Sequence, residues 1–345
     1  MDKPFLNKLM GTHSVSGFEN EISRVFSEEL ADSVSEIKVD VMGNTYAYVN
    51  SIGSTNTILI EAHCDEIGFQ VINVSESGFV YIRRNGGIDE QCVPGLQVII
   101  KTVGGEYING VIGKKPIHLM STDDRKRTLE LNQVWVDTGL SKQEVIDKIS
   151  IGDTVSVSPN FQFLGASRIT GKALDNKIGV YIVTEVLKRI SKHTDLKSNV
   201  VGVASVQEEV GSRGAAIVAY NVEPNIAITI DVDFATDVPD LSPNRYGKID
   251  LGRGVIIPRN VDISQQLSKQ FENMAKVNNI SYQVSARPHA TGGTNISHIQ
   301  TVRNGIMTMS LGIPCRYMHT PVEMCDMKDV DACIELLYLW ILSHK

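Results

Sequence analysis

Residues 57–74 read TILIEAHCDEIGFQVINV, and the fold turns on how they divide. The first four, TILI, are an apolar run too short for a helix and read as a buried strand. The next six, EAHCDE, carry a histidine and three acids, as the carboxyl end of a strand does where open α/β sheets bind ligands. From residue 68 the texture changes. FQVINV, FVYIRR, LQVIIKTV, YINGVIG and TVSVSP are short β-type runs separated by Gly, Asn or Ser, with one helical segment at 142–148. Strand after strand without amphipathic helices reads as a small barrel or sandwich.

On either side of that β-rich stretch the pattern is different. Helical periodicity at 18–30, 177–190, 212–219, 261–277 and 327–342 alternates with buried-strand runs at 57–60, 199–206, 226–230 and 305–311. Helices interleaved with short buried strands imply an α/β layer structure with a mainly parallel or mixed sheet. Residues 1–66 alone hold too few elements to enclose a core. The reading therefore joins 1–66 and 160–345 into one discontinuous α/β domain, with 67–159 as an inserted β-rich domain.

The 345 residues carry 33 Lys+Arg against 40 Asp+Glu, a net charge of −7. That acidity argues against a nucleic-acid backbone or an anionic membrane as partner. No apolar run reaches the roughly 18–20 residues of a membrane span. The opening MDKPFLNKLMGTHS lacks a signal-peptide stretch, so a cytoplasmic protein is expected. Cys64, Cys92, Cys315, Cys325 and Cys333 are an odd set without CxxC spacing, which makes a disulfide framework or zinc knuckle unexpected.

Five pieces carry chemistry. Period-two alternation points His63 and Asp65 the same way and Cys64 away. A His–x–Asp pair suits a metal ligand oriented by a carboxylate, although a strand-end histidine alone is more often structural. Asp175 stands just before the helix at 177 and, alone, reads as its N-cap. Strand 199–206 runs into Glu208-Glu209. Adjacent carboxylates in one cleft resist joint ionisation, so a metal or a shared proton is expected. Strand 226–230 delivers Asp231, with Asp233 on the same face and Asp237 in the turn beyond. His319 sits in HTPVE before the final helix, where a surface role reads equally well. Together they set a His, an Asp, a Glu, an Asp and a His at successive strand ends. That set suits two divalent cations of the zinc or cobalt class bridged by a carboxylate.

AHCDEIGF (62–69), GKALDNKIG (171–179), VQEEVGSRGA (206–215), IDVDFATDVP (230–239) and MHTPVE (318–323) resemble the cocatalytic metallo-aminopeptidases of the glutamyl-aminopeptidase, deblocking and tetrahedral-aminopeptidase family. SVSGFE, DVMGN, GVIGKKPIH and IGDTV extend the likeness over nearly the whole chain. The resemblance implies a zinc-peptidase-like α/β core with a β-rich dimerisation insert. It implies that His63, Asp175 and Asp231 bind one metal, and that Asp175 bridges to a second held by Glu209 and His319. Glu208 would be the general base and Asp65 the orienting partner of His63. It further implies two divalent ions, zinc or else cobalt or manganese, short peptide substrates, a cytoplasmic setting, and dimers that can build dodecamers.

The chain departs from the family at Asn295, where GGTN replaces a common GGTD and removes a charge near the expected substrate pocket. Cys64 reads as packing, and Cys315 and Cys325, which flank His319, are not expected to bind metal. His118 and His289 read as structural or rim residues. Arg253 and Arg287 suit either acidic substrate side chains or solvent. The rival enzyme reading is a deacylase or carboxypeptidase on another amide. A metal-stabilised scaffold is disfavoured, because metals alone do not need Glu208. A glucanase lacks its flanking carboxylate pair and aromatic platform, with aromatics at only 6%.

Overall fold

The computed structural model describes residues 2–51, 53–286 and 293–344. Two helices come first, α1 (Lys3–Gly11) and α2 (Asn20–Leu30), followed by β1 (Glu36–Val39), β2 (Thr45–Val49) and β3 (Thr57–His63). Next come β4 (Gly68–Val74), β5 (Val80–Asn85), β6 (Gln97–Lys101), β7 (Tyr107–Lys114), β8 (Val134–Asp137), α3 (Lys142–Lys148) and β9 (Thr154–Val157). A hairpin, β10 (Gln162–Leu164) and β11 (Arg168–Gly171), leads into α4 (Leu174–Ile190), β12 (Asn199–Ser205), α5 (Ala215–Val222) and β13 (Ile226–Phe234). The chain closes with α6 (Pro243–Tyr246), β14 (Val255–Pro258), α7 (Gln265–Val277), β15 (Tyr282–Ser285), α8 (Asn295–Gln300), β16 (Met307–Cys315), β17 (Glu323–Asp326) and α9 (Met327–Ser343).

Eight strands form the central sheet in the order β1-β2-β12-β3-β13-β16-β14-β15. Its middle four, β12, β3, β13 and β16, are mutually parallel, and antiparallel pairings with β2 and β14 carry it outward. Helix α4 packs on β3 and β13 and against α9, while α5 and α8 cover the other face. Burial on both faces is why these strands read as continuous apolar runs rather than alternating ones. Gly202 of β12 lets α4 approach, because a Cβ there would collide with Leu187. Each fully buried Ile or Leu in this layer contributes about 1.5–3 kcal/mol.

Strands β4-β5-β8-β7-β6-β9 close a barrel with its own core, including Phe69, Val71, Ile82, Val98, Val136 and Val155. The barrel-or-sandwich alternative thus resolves to a barrel. It is tied to the rest through His13, whose ring nitrogens meet Ser156 Oγ (3.0 Å) and Thr154 Oγ1 (2.8 Å) of β9. No helix among the described residues is long and apolar enough to cross a membrane.

Several elements run differently from expectation. β3 continues past residue 60 to His63, because residues 61–63 pair with 203–205 of β12. β13 continues past 230 to Phe234 along its pairing with β16, so Asp231 and Asp233 lie within a strand. The helix expected over 261–277 starts at Gln265, because Ser264 accepts the Leu267 N–H and caps it there.

Candidate metal centre

The carboxyl ends of the parallel strands converge on one edge of the sheet. His63 ends β3 opposite Ser205, Asp231 lies in β13 opposite Gly312, Glu208 and Glu209 follow β12, and His319 lies between β16 and β17. Asp175 joins them from a break at the start of α4, where Asp175 (φ −76°, ψ 105°) and Asn176 (φ −124°, ψ 37°) are not helical. The cap expected of Asp175 falls instead to Asn176, whose Oδ1 accepts the Gly179 N–H (3.1 Å) and whose Nδ2 donates to Ile230 O (2.8 Å). That substitution leaves the Asp175 carboxylate for the site.

Asp175 stands between two imidazoles. His63 Nε2 is 3.1 Å from Asp175 Oδ1 and 3.6 Å from Asp231 Oδ1. His319 Nε2 is 3.3 Å from Asp175 Oδ2 and 3.5 Å from Glu209 Oε2. Both rings are fixed from behind. His63 Nδ1 faces the Asp65 carbonyl oxygen (3.2 Å), and His319 Nδ1 faces the Gly87 carbonyl oxygen (2.6 Å). An imidazole that donates from Nδ1 keeps its Nε2 lone pair for a cation. Gly87, between β5 and β6, brings the barrel segment to the site. A Cβ on it would lie 3.2 Å from His319 Nδ1.

Asp65 is fully buried and works through both oxygens. Oδ1 accepts the Glu208 N–H (3.0 Å), and Oδ2 accepts the Glu209 N–H (3.1 Å) and the Ser16 hydroxyl (2.7 Å). It therefore holds the Glu208-Glu209 turn as well as the strand end bearing His63. The turn is tight, with Gln207 (φ 60°) and Ser212 (φ 51°) both left-handed. Non-glycine residues stay there only when surrounding contacts over-determine them.

Crowded acids dominate the electrostatics. Burial, reinforced by Asp231, Asp175 and Asp65 against the opposing His63, pushes Glu208 up to about 8. Burial and Asp175 raise Glu209 well above the usual carboxylate range. The hydrogen bond to Asp175 lifts His319 to about 10, and His63 is also raised, its acidic partners outweighing burial. Against the cost of burial, the two imidazoles hold Asp175 far below its ordinary value. Protons are thus drawn in to balance the acids, a task divalent cations perform without them. Glu209 Oε1 is buried with no hydrogen-bond partner among the described residues, and an unmet buried carboxylate oxygen is costly. Two imidazoles and three carboxylates around that orphan oxygen fit cations of the zinc type. One side-chain donor atom from each of His63, Asp175 and Glu209 lies within 4.8 Å of the other two, close enough to hold one ion.

The family model for M42 glutamyl aminopeptidases matches residues 43–336. The chain belongs to that family. It is 32% identical to the lysyl aminopeptidase of Pyrococcus furiosus over 342 residues, covering 97% of this chain and 95% of the relative. The TET aminopeptidase from the marine sediment archaeon Thaumarchaeota archaeon SCGC AB-539-E09 superimposes with a TM-score of 0.92 at 29% identity, covering 99% of this chain and 95% of that one. The Pyrococcus horikoshii TET1 peptidase, described as able to assemble into a tetrahedron or a large octahedral shell, superimposes with a TM-score of 0.88 at 28% identity and 99% coverage of both chains. The mixed α/β core and closed barrel are thus the architecture of an M42 aminopeptidase.

In this M42 aminopeptidase some site-supporting residues escaped the sequence reading. Glu61, buried in β3, accepts from the Ser205 hydroxyl and from Asn295 Nδ2 (2.8 Å). Asn295 is therefore inside the molecule, donating to a carboxylate two residues from His63. An acid in an otherwise apolar strand was the available signal. Glu323, quoted in MHTPVE without a role, accepts two main-chain N–H groups at the site. Cys64, Cys315 and Cys325 are buried, and Cys64 packs in the core as expected. His118 and Arg253 are exposed. Arg287 and His289 lie outside the described residues.

Proposed function

We propose that this chain is a dinuclear metal-dependent aminopeptidase that releases N-terminal residues from short peptides. The observation carrying the reading is Asp175, each of whose oxygens faces the Nε2 of a different histidine. In this reading His63, Asp175 and Asp231 hold one cation, and Asp175, Glu209 and His319 hold the other. Zinc suits the nitrogen and oxygen donors, and cobalt or manganese belongs to the same coordination class. When bound, such a pair polarises the scissile carbonyl and makes water a better nucleophile at neutral pH. Glu208 takes the proton from the attacking water as its oxygen bonds to the carbonyl carbon. It then gives that proton to the departing amine as the C–N bond breaks. Asp65 holds Glu208 and Glu209 by their backbone and orients the His63 ring.

The same reading treats 1–66 and 160–345 as the catalytic domain and 67–159 as an insert for dimerisation. Assembly of the Pyrococcus horikoshii relative into shells supports self-association of this chain, which in this reading forms dimers or dodecamers and works in the cytoplasm. The test is hydrolysis of short peptides and their N-acetylated counterparts by metal-reconstituted protein. Turnover of the free amines alone is the expected result. Equal or preferred turnover of the acetylated set would reassign the chain to deacylase or carboxypeptidase chemistry.

A further inference from the structure

Glu323 opens β17, pairs with Gly171 of β11, and is 1% exposed. Its two oxygens are divided between distant segments. Oε2 accepts the Asp175 N–H and Oε1 accepts the His319 N–H, each at 2.9 Å. Asp175 sits in the non-helical break at the start of α4, and His319 is held in a left-handed conformation (φ 61°) two residues after another, Tyr317 (φ 60°). The left-handed turn at Tyr317 and His319 persists only where surrounding contacts support it. The arrangement parallels Asp65, whose oxygens accept the N–H groups of Glu208 and Glu209.

We propose that Glu323 is a positioning residue that sets the separation between the two cation sites by clamping the backbones of Asp175 and His319 to one carboxylate. The proposal rests on the dinuclear reading above. With both oxygens engaged by main-chain donors, Glu323 acts through the ligands and not as one of them. Asp175 belongs to both sites and His319 only to the second, so the site of Asp175, Glu209 and His319 depends on the clamp more. A shift of the His319 backbone also has little freedom to be absorbed, because Gly87 O fixes the ring from the barrel side.

The test is cation binding by calorimetry, with zinc and cobalt, on metal-stripped wild type, Glu323→Gln and Glu323→Asp. The cobalt-loaded visible spectrum and thermal melting are recorded alongside. Glu323→Gln keeps the shape but turns an amide donor toward one of two backbone donors. Glu323→Asp keeps both acceptors on a shorter stem. The expected result is a wild type with two cations per chain and a Gln variant whose first cation binds within about threefold of wild type. Its second cation binds about 10–100-fold more weakly, the usual cost of losing an outer partner of a metal ligand. The cobalt spectrum changes accordingly, and kcat falls more than KM rises. The Asp variant lies between the two and covers the case of a misfolded Gln variant. Folded variants that bind both cations as wild type does, or that lose both equally, overturn the proposal. A wild type that binds fewer than two cations overturns the dinuclear reading itself, and this inference with it.

Discussion

His63 and His319, from opposite ends of the chain, aim their Nε2 atoms at different oxygens of a single carboxylate, 3.1 and 3.3 Å away on Asp175. One helix start thus joins a histidine from β3 to a histidine from the loop before β17. Elsewhere in the cluster, the buried carboxylates of Asp65 and Glu323 accept the backbone N–H groups of Glu208, Glu209, Asp175 and His319, so part of the site's geometry is written into the main chain.

Removing the base separates binding from chemistry. Glu208→Ala is expected to lower kcat about 10²–10⁴-fold. Metal content measured by mass spectrometry should stay at the wild-type value, since Glu208 binds no cation in this account. Substantial activity in a variant with normal metal content would remove Glu208 from the mechanism.

Asp65→Asn leaves the side-chain shape but disturbs two N–H acceptors, the Ser16 contact and the partner of His63. Metal affinity is expected to drop about 10–100-fold. Titration with a competing chelator reads it directly, and an unchanged affinity would show that Asp65 does not orient the site.

Gly87→Ala tests the barrel's reach into the centre. The added methyl meets His319 Nδ1 at 3.2 Å, so the ring must shift by a few tenths of an ångström. The second cation is expected to weaken about tenfold while the first is unaffected. Calorimetry with zinc distinguishes this from a uniform loss, which would mean the fold itself had moved.

Stability should fall in acid partly through His13. Burial holds its imidazole down to about 3, with Glu66 opposing and Lys172, Lys101 and Lys177 assisting. Its folded value lies below the unfolded one of about 6.5, so the unfolded chain takes up the proton first. The contribution of His13 is whole above pH 6.5 and lost as pH falls toward 3, at no more than about 1.4 kcal/mol per pH unit. Urea melts of metal-stripped His13→Gln should therefore show a shallower loss than wild type between pH 6.5 and 3. Parallel curves would place the acid sensitivity elsewhere.

Much of this was legible in the sequence, for identifiable reasons. The break in texture at residue 68 marks the barrel because strands without helices cannot belong to the alternating core. The ligand candidates stood out as histidines and acids where apolar runs stop. What stayed hidden depends on pairing between distant segments. Glu61, Asp231 and Asp233 interrupt their apolar runs, so β3 and β13 read too short, and only the neighbouring strands extend them. Closure of the barrel requires β9 to pair with both β4 and β6. That Asn176 rather than Asp175 caps α4, and that Glu323 serves two backbones at once, follows from geometry no local pattern encodes.

The most direct test of the central claim is activity on a free aminoacyl anilide as zinc, cobalt or manganese is added back to metal-stripped protein. Activity is predicted to be absent without metal and to reach its plateau at two equivalents per chain. Melting temperature should rise in step, since a cation at 100 times its Kd adds about 2.7 kcal/mol. Full activity without metal, a plateau at one equivalent, or no turnover of any aminoacyl anilide with any of the three metals would contradict the account.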